Sequence, residues 1–109
     1  MFRKALAAIA TAAIAGCATA GDLDQREAQI SYETSKSPGE LEECIALALA
    51  NAGTPSTIRT ENRRIMVWEE GGFTMWTITI HEADPTRAEM RWGGPILSGK
   101  WRNRFRNCA

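Results

Sequence analysis

Residues 73–92 read FTMWTITIHEADPTRAEMRW, and the parity of that run decides the fold. Trp76, Ile78 and Ile80 alternate with Thr77, Thr79 and His81. Beyond a turn at Ala83-Asp84-Pro85, Ala88, Met90 and Trp92 alternate with Arg87, Glu89 and Arg91. A three-residue loop sets Ile80 opposite Ala88, Ile78 opposite Met90 and Trp76 opposite Trp92, so all six large or apolar positions fall on one face. Their polar alternates fall on the other. This is the pattern of an antiparallel sheet buried on one side and wet on the other.

Upstream, Arg64–Glu69 is the next strand, separated from Phe73 by Gly71-Gly72, a dipeptide suited to a two-residue hairpin loop. A regular ladder from that loop pairs Val67 with Trp76 and Ile65 with Ile78, which makes Val67 and Ile65 core. Met66, Trp68, Phe73 and Met75 then share the parity that faces water, near the hairpin tip. Four large apolar groups on one exposed face make a candidate partner surface. The alternatives are an edge that curls, cover from a neighbouring segment or second subunit, or a register that differs by one.

Further out, Ser37-Pro38-Gly39-Glu40 offers a capping serine, a proline at the first helical position and a glutamate three residues after the cap. Leu41, Cys44, Ile45, Ala48, Leu49 and Ala52 follow at spacings of three and four and form one apolar stripe. Gly53 and Pro55 end that helix. A short strand is expected over Gln29–Thr34, where Ile30 and Tyr32 alternate with polar neighbours. At the other end, Gly93-Gly94-Pro95 breaks the sheet. Leu97, Trp101, Phe105 and Cys108 then recur at helical spacing, so a terminal helix is expected despite Gly99. The fold class is therefore α+β: a two-layer meander sheet with two helices on one face, in the order β-α-β-β-β-β-α.

The amino terminus carries a different kind of information. Arg3 and Lys4 precede Ala5–Ala15, an uncharged apolar run too short to span a bilayer as a helix. It ends at Ile14-Ala15-Gly16-Cys17, which resembles the lipobox of bacterial lipoproteins, with Ile in place of the commoner Leu at the first position. The resemblance covers the first 17 residues. It implies that residues 1–16 are a signal peptide cut before Cys17, and that Cys17 carries diacylglyceryl and usually N-acyl chains such as palmitate. Several chains hold a protein on a bilayer where one chain binds only marginally. Ala18, in place of the aspartate that retains many lipoproteins at the inner membrane, implies the outer membrane, with the protein facing the periplasm. The competing readings are a soluble secreted form cut near Ala18-Thr19-Ala20 and a cytosolic amino-terminal helix. Residues 17–28, polar and small, read as a flexible tether, and residues 29–109 as the domain.

The chain has 109 residues, three cysteines and zero formal net charge. Losing 16 residues leaves 93, a size at which a covalent staple adds useful stability. Once Cys17 is committed to lipid, Cys44 and Cys108 remain as an even pair, each on the apolar stripe of its helix. A structural disulfide follows from an oxidising compartment. A redox role lacks the Cys-x-x-Cys spacing. One histidine and two distant cysteines fall short of a zinc site, and no cofactor is expected.

His81 has no nucleophile motif to serve and reads as a solvated strand residue. Glu69-Glu70 and Glu42-Glu43 are adjacent carboxylates whose side chains should point apart. Lys100, Arg102, Arg104 and Arg106 form a candidate basic surface. Trp101 and Phe105 beside them face the core on the helix reading, so nucleic-acid binding is not expected, and anionic headgroups or envelope polymers are the better match. These residues imply a membrane-anchored, non-enzymatic module that binds an envelope protein or polymer. The alternative is an inhibitor of an envelope-degrading enzyme such as a lysozyme-like hydrolase.

Overall fold

The computed structural model describes residues 19–94 and 96–109, so the leader, the lipobox and Cys17 lie outside the described residues. Five strands form one antiparallel sheet: β1 (Ile30–Thr34), β2 (Ser56–Arg59), β3 (Arg63–Glu70), β4 (Phe73–His81) and β5 (Thr86–Trp92). Their order across the sheet is β1-β5-β4-β3-β2. Strands β2 to β5 are a meander, and β1 closes the far edge beside β5.

Two helices, α2 (Pro38–Ala48) and α3 (Gly99–Arg106), pack on one face, which gives the α+β architecture. A five-residue helix, α1 (Ala20–Asp24), packs against β4 and β5 from the opposite side. Its single leucine, Leu23, is fully buried. The tether expected over residues 17–28 therefore does not extend through α1, which is docked on the sheet. Thr19 and Asp22 form a reciprocal capping box that starts this helix, each side chain accepting from the other's backbone N–H.

Helix α2 begins as its sequence requires. The Ser37 side chain accepts from the Glu40 N–H at 3.2 Å, and Pro38 occupies the first turn. Leu41, Ile45 and Leu49 are fully buried, while Cys44 packs at the core margin. Phe105 and Cys108 are buried from the α3 side. Cys44 and Cys108 are joined by a disulfide with Cα atoms 5.9 Å apart, closing 64 residues of chain. In the chain-entropy view a loop of that size is worth about 4 kcal/mol. The end of α3 is tied to the sheet edge as well, because the Tyr32 hydroxyl donates to the Phe105 carbonyl at 2.8 Å and Lys36 Nζ to the Cys108 carbonyl at 2.6 Å. Burial pushes the Tyr32 phenol well above its ordinary value, so it stays neutral and keeps its donor.

The β4–β5 register pairs Trp76 with Trp92, Ile78 with Met90 and Ile80 with Ala88, as the alternation requires. The β3–β4 register does not follow the regular ladder. Gly71 and Gly72, with φ of 59° and 82°, form the expected two-residue turn, and Glu70 pairs with Phe73 and Glu69 with Thr74. Between Trp68 and Glu69 the register then shifts, leaving Trp68 opposite Trp76 and Met66 opposite Ile78. A bulge adds one residue to one strand, and one residue is enough to exchange faces.

The consequence corrects two expectations. Met66 and Trp68, expected in water, are each 1% exposed within the helix-side core. Ile65 and Val67 are also buried, but on the α1 side with Thr77 and Thr79. The second face of the sheet is therefore not wet at its centre. Arg91, expected outside, is likewise buried, and its Nε donates to the Arg26 carbonyl at 2.7 Å.

Candidate functional site: an aromatic cleft at the hairpin end

Of the four residues expected to make a partner surface, only two reach the exterior. Phe73 stands at the hairpin tip, 60% exposed, and Met75 is half-buried. Met75 instead lines a cleft of about 330 Å³ with Asn51, Ala52, Glu69, Glu70, Trp76 and Trp101. Four separate stretches build this cleft. The 3-10 turn Ala50–Ala52 after α2 supplies one wall, and the end of β3 and the start of β4 supply the second. The first turn of α3 supplies the third.

The bulge makes the cleft possible in two ways. It carries Trp68 onto the helix side next to Trp76, with ring centroids 5.8 Å apart, and Trp76 in turn meets Trp101 at 5.6 Å. Three indoles thus run from β3 across β4 to α3, at spacings typical of favourable tilted pairs. Met75 is the extra, unpaired residue of the bulge, and it lines the cleft with Glu69 and Glu70.

The polar groups of these indoles differ. Trp68 Nε1 donates to the Gly53 carbonyl at 3.1 Å. Trp76 is 2% exposed, and among the described residues its Nε1–H has no acceptor. Leaving a buried donor unpaired costs on the order of 1–3 kcal/mol.

Two residues of the candidate basic surface lie against Trp101, one of the residues that line the cleft. Lys100 Nζ lies 4.5 Å from the centroid of the Trp101 ring and the Arg104 guanidinium 5.3 Å from it, close enough for cation–π attraction. Lys100 and Arg106 are exposed, whereas Arg102 and Arg104 are half-buried, and Arg102 Nε is buried without a partner. Two of the four bases therefore fold over an aromatic wall. The charged residues that line the cleft itself are Glu69 and Glu70.

His81 belongs to a different neighbourhood, on the α1 side of the sheet. It is hydrogen-bonded to Glu89, which lies 3.4 Å from Arg91 Nη2. Burial alone would raise the Glu89 carboxyl. The hydrogen bond from His81 and the charges of Arg91, His81 and Arg87 outweigh it and hold the pKa below the usual carboxylate value. Arg63 completes the cluster with Asp24 of α1 at 3.0 Å. The shallow depression at His81 is lined by Glu33, Asn62, Glu82, Ala83, Asp84, Pro85 and Arg87. The pairings of this cluster act on the docking of α1. Among the described residues no group of three or more His, Cys, Asp or Glu side chains is placed to hold a metal ion.

Trp76 and Trp101 read from the sequence as core residues, and in most respects they are. Their role as cleft walls depends on Asn51 and the two glutamates arriving from elsewhere in the chain, which no local spacing encodes. The sequence signal that does survive is the density of tryptophan, four in a chain of this length, with three in one row. Comparison with protein-family models, curated proteins and solved structures returned no match.

Proposed function

We propose that this chain is a small envelope lipoprotein, anchored through Cys17 and facing the periplasm from the outer membrane, that acts as a non-enzymatic binding module. Its binding surface is the cleft between Trp76 and Trp101. One observation carries the reading: a cleft walled by two indoles, a thioether and two carboxylates, drawn together from four stretches of the chain. Small-molecule and polymer sites have this make-up, apolar walls with a few convergent polar groups, and the volume lies at the low end of their range. The Cys44–Cys108 disulfide and the apolar run before Cys17 are compatible with an exported protein.

The experiment is crosslinking in intact cells, followed by identification of what is captured. Glu70→Lys changes an exposed cleft residue without touching the core, and it should reduce capture while leaving protein level and anchoring unchanged. Capture at unchanged yield in Glu70→Lys contradicts the cleft reading. Cys17→Ser should release the protein from the membrane fraction and leave the leader uncut, and continued membrane association at the mature mass contradicts the anchor.

The hairpin tip favours a second reading, an inhibitor of an envelope-degrading enzyme. Glu69 to Phe73 form a tight, exposed projection carrying two carboxylates and an aromatic ring, a shape suited to entering a concave, cationic active site. Inhibition of an added lysozyme-like hydrolase that is lost in Phe73→Ala would select it.

A further inference from the structure

We infer that helix α1 is a clasp: docked on the sheet, it holds the domain at the bilayer surface, and released, it becomes a tether that lets the domain reach outward. This rests on the reading of Cys17 as the lipid anchor and goes beyond it by giving the docked helix a role.

Chain length sets the first constraint. Only Ala18 separates Cys17 from Thr19, and Thr19 is fixed at the start of α1 by its reciprocal bonds with Asp22. Two Cα steps span at most about 7 Å. Acyl chains on Cys17 hold that residue at the headgroups. A docked α1 therefore leaves the domain no free spacer and keeps the start of the helix beside the bilayer.

The far end of the segment is fixed independently. The Gln29 N–H donates to the Met90 carbonyl at 3.1 Å, its Nε2 donates to the Trp92 carbonyl at 2.8 Å, and its Oε1 accepts from the Trp92 N–H at 3.2 Å. None of these bonds involves α1, so they survive its release. The chain from Cys17 to Gln29 then spans up to about 40 Å when extended, or about 20 Å as a flexible coil.

The hold on α1 is small and separable from the rest of the fold. Leu23 is its one buried side chain, Asp24 pairs with Arg63 at 3.0 Å, and just beyond the helix the Arg26 carbonyl accepts from Arg91 Nε at 2.7 Å. Isolated helices shorter than about 12–15 residues are marginal in water, and this one has five. Once Leu23 leaves its seat the helix melts, so the segment has two states, docked helix or open coil. The disulfide and the α2–α3 core lie on the other face of the sheet, and local opening leaves them intact.

The test uses the mature, acylated protein in vesicles of phosphatidylethanolamine and phosphatidylglycerol carrying a dansyl headgroup, which accepts energy from the protein's own tryptophans. Flotation with the vesicles and the intact mass establish the anchor separately. Wild type should transfer efficiently. Leu23→Ala should lower transfer by about half or more, because the spacer lengthens to roughly 20 Å. Thr19→Ala with Asp22→Ala removes the capping box without touching a buried side chain, and it should lower transfer by less. Near-UV circular dichroism reports whether Leu23→Ala keeps its aromatic core, and where it does not, the capping variant decides.

Equal transfer in wild type and the variants, whether high or low, overturns the clasp and leaves the anchor standing. A protein that lacks acyl chains and does not float overturns the anchor, and the clasp with it.

Discussion

The two faces of the sheet are covered by opposite means. On one side, α2 and α3 bury Leu41, Ile45, Leu49 and Phe105 against Met66, Trp68, Trp76, Ile78 and Met90, and a disulfide links the helices. On the other, a helix of five residues contributes a single buried leucine. The rest of that cover comes from polar contacts: Arg91 on the Arg26 carbonyl, Asp24 on Arg63, and Glu89 between His81 and Arg91. The first face is held by apolar area and a covalent closure. Among the described residues the second has a smaller apolar share, Leu23, Ile65 and Val67, and a set of charges, so it should open first and depend on pH.

Four substitutions sharpen that contrast, and the largest effect belongs to the helix side. Removing the disulfide as Cys44→Ala with Cys108→Ala should lower stability by about 4 kcal/mol in denaturant unfolding, with a steeper slope because the unfolded chain expands once released. Leu23→Ala comes next, at about 2–3 kcal/mol. Its signature is local, since amide exchange should speed up in α1 ahead of the helix-side core. Uniform acceleration through α2 and β4 would show that the two faces are not separable.

Glu89→Gln should cost about 1–2 kcal/mol near neutral pH. The sign of its pH dependence follows from its carboxyl being held below the ordinary value. The ionised form favours the fold, so its contribution is complete above the ordinary carboxylate range and is lost as pH falls through the depressed pKa. The gap between wild type and Glu89→Gln should therefore close on acidification, in chemical unfolding followed from pH 7 down to about pH 3. A gap that widens would contradict the ion pairing. Asp24→Asn has the smallest effect, under about 0.5 kcal/mol, because both partners are about one-third exposed. High salt should erase it.

What was legible in the sequence follows the same division. From Trp76 through β5 the strands alternate between apolar and polar residues, so parity fixed their register and their core face. The Ser37-Pro38 start fixed the beginning of α2, and the spacing of Cys108 from Phe105 and Trp101 aimed it at the sheet. Strand β3 was different in kind. Ile65-Met66-Val67-Trp68 is an unbroken apolar run, and a strand buried on both faces carries no parity to read. The bulge then decided the matter, and its one trace in the sequence is in the partner strand, where the apolar parity switches from Phe73 and Met75 to Trp76, Ile78 and Ile80.

Helix α1 left a faint trace in Thr19 and Asp22, a capping pair three residues apart ahead of one leucine, easily lost in a polar stretch. Missing it made the second face look wet and the Met66–Trp68 patch look exposed. The cleft was less legible still. Asn51, Glu69, Met75 and Trp101 meet only because the bulge, the hairpin and the carboxy-terminal helix converge, and convergence of distant segments has no local period.

The register of β3 against β4 is the point on which both the covered second face and the cleft depend. It can be read directly from side-chain NOEs in the oxidised protein. Contacts between the Trp68 and Trp76 indoles, with none from the Val67 methyls to Trp76, are the predicted result. Val67 methyls on the Trp76 ring, with Trp68 open to solvent, would contradict it.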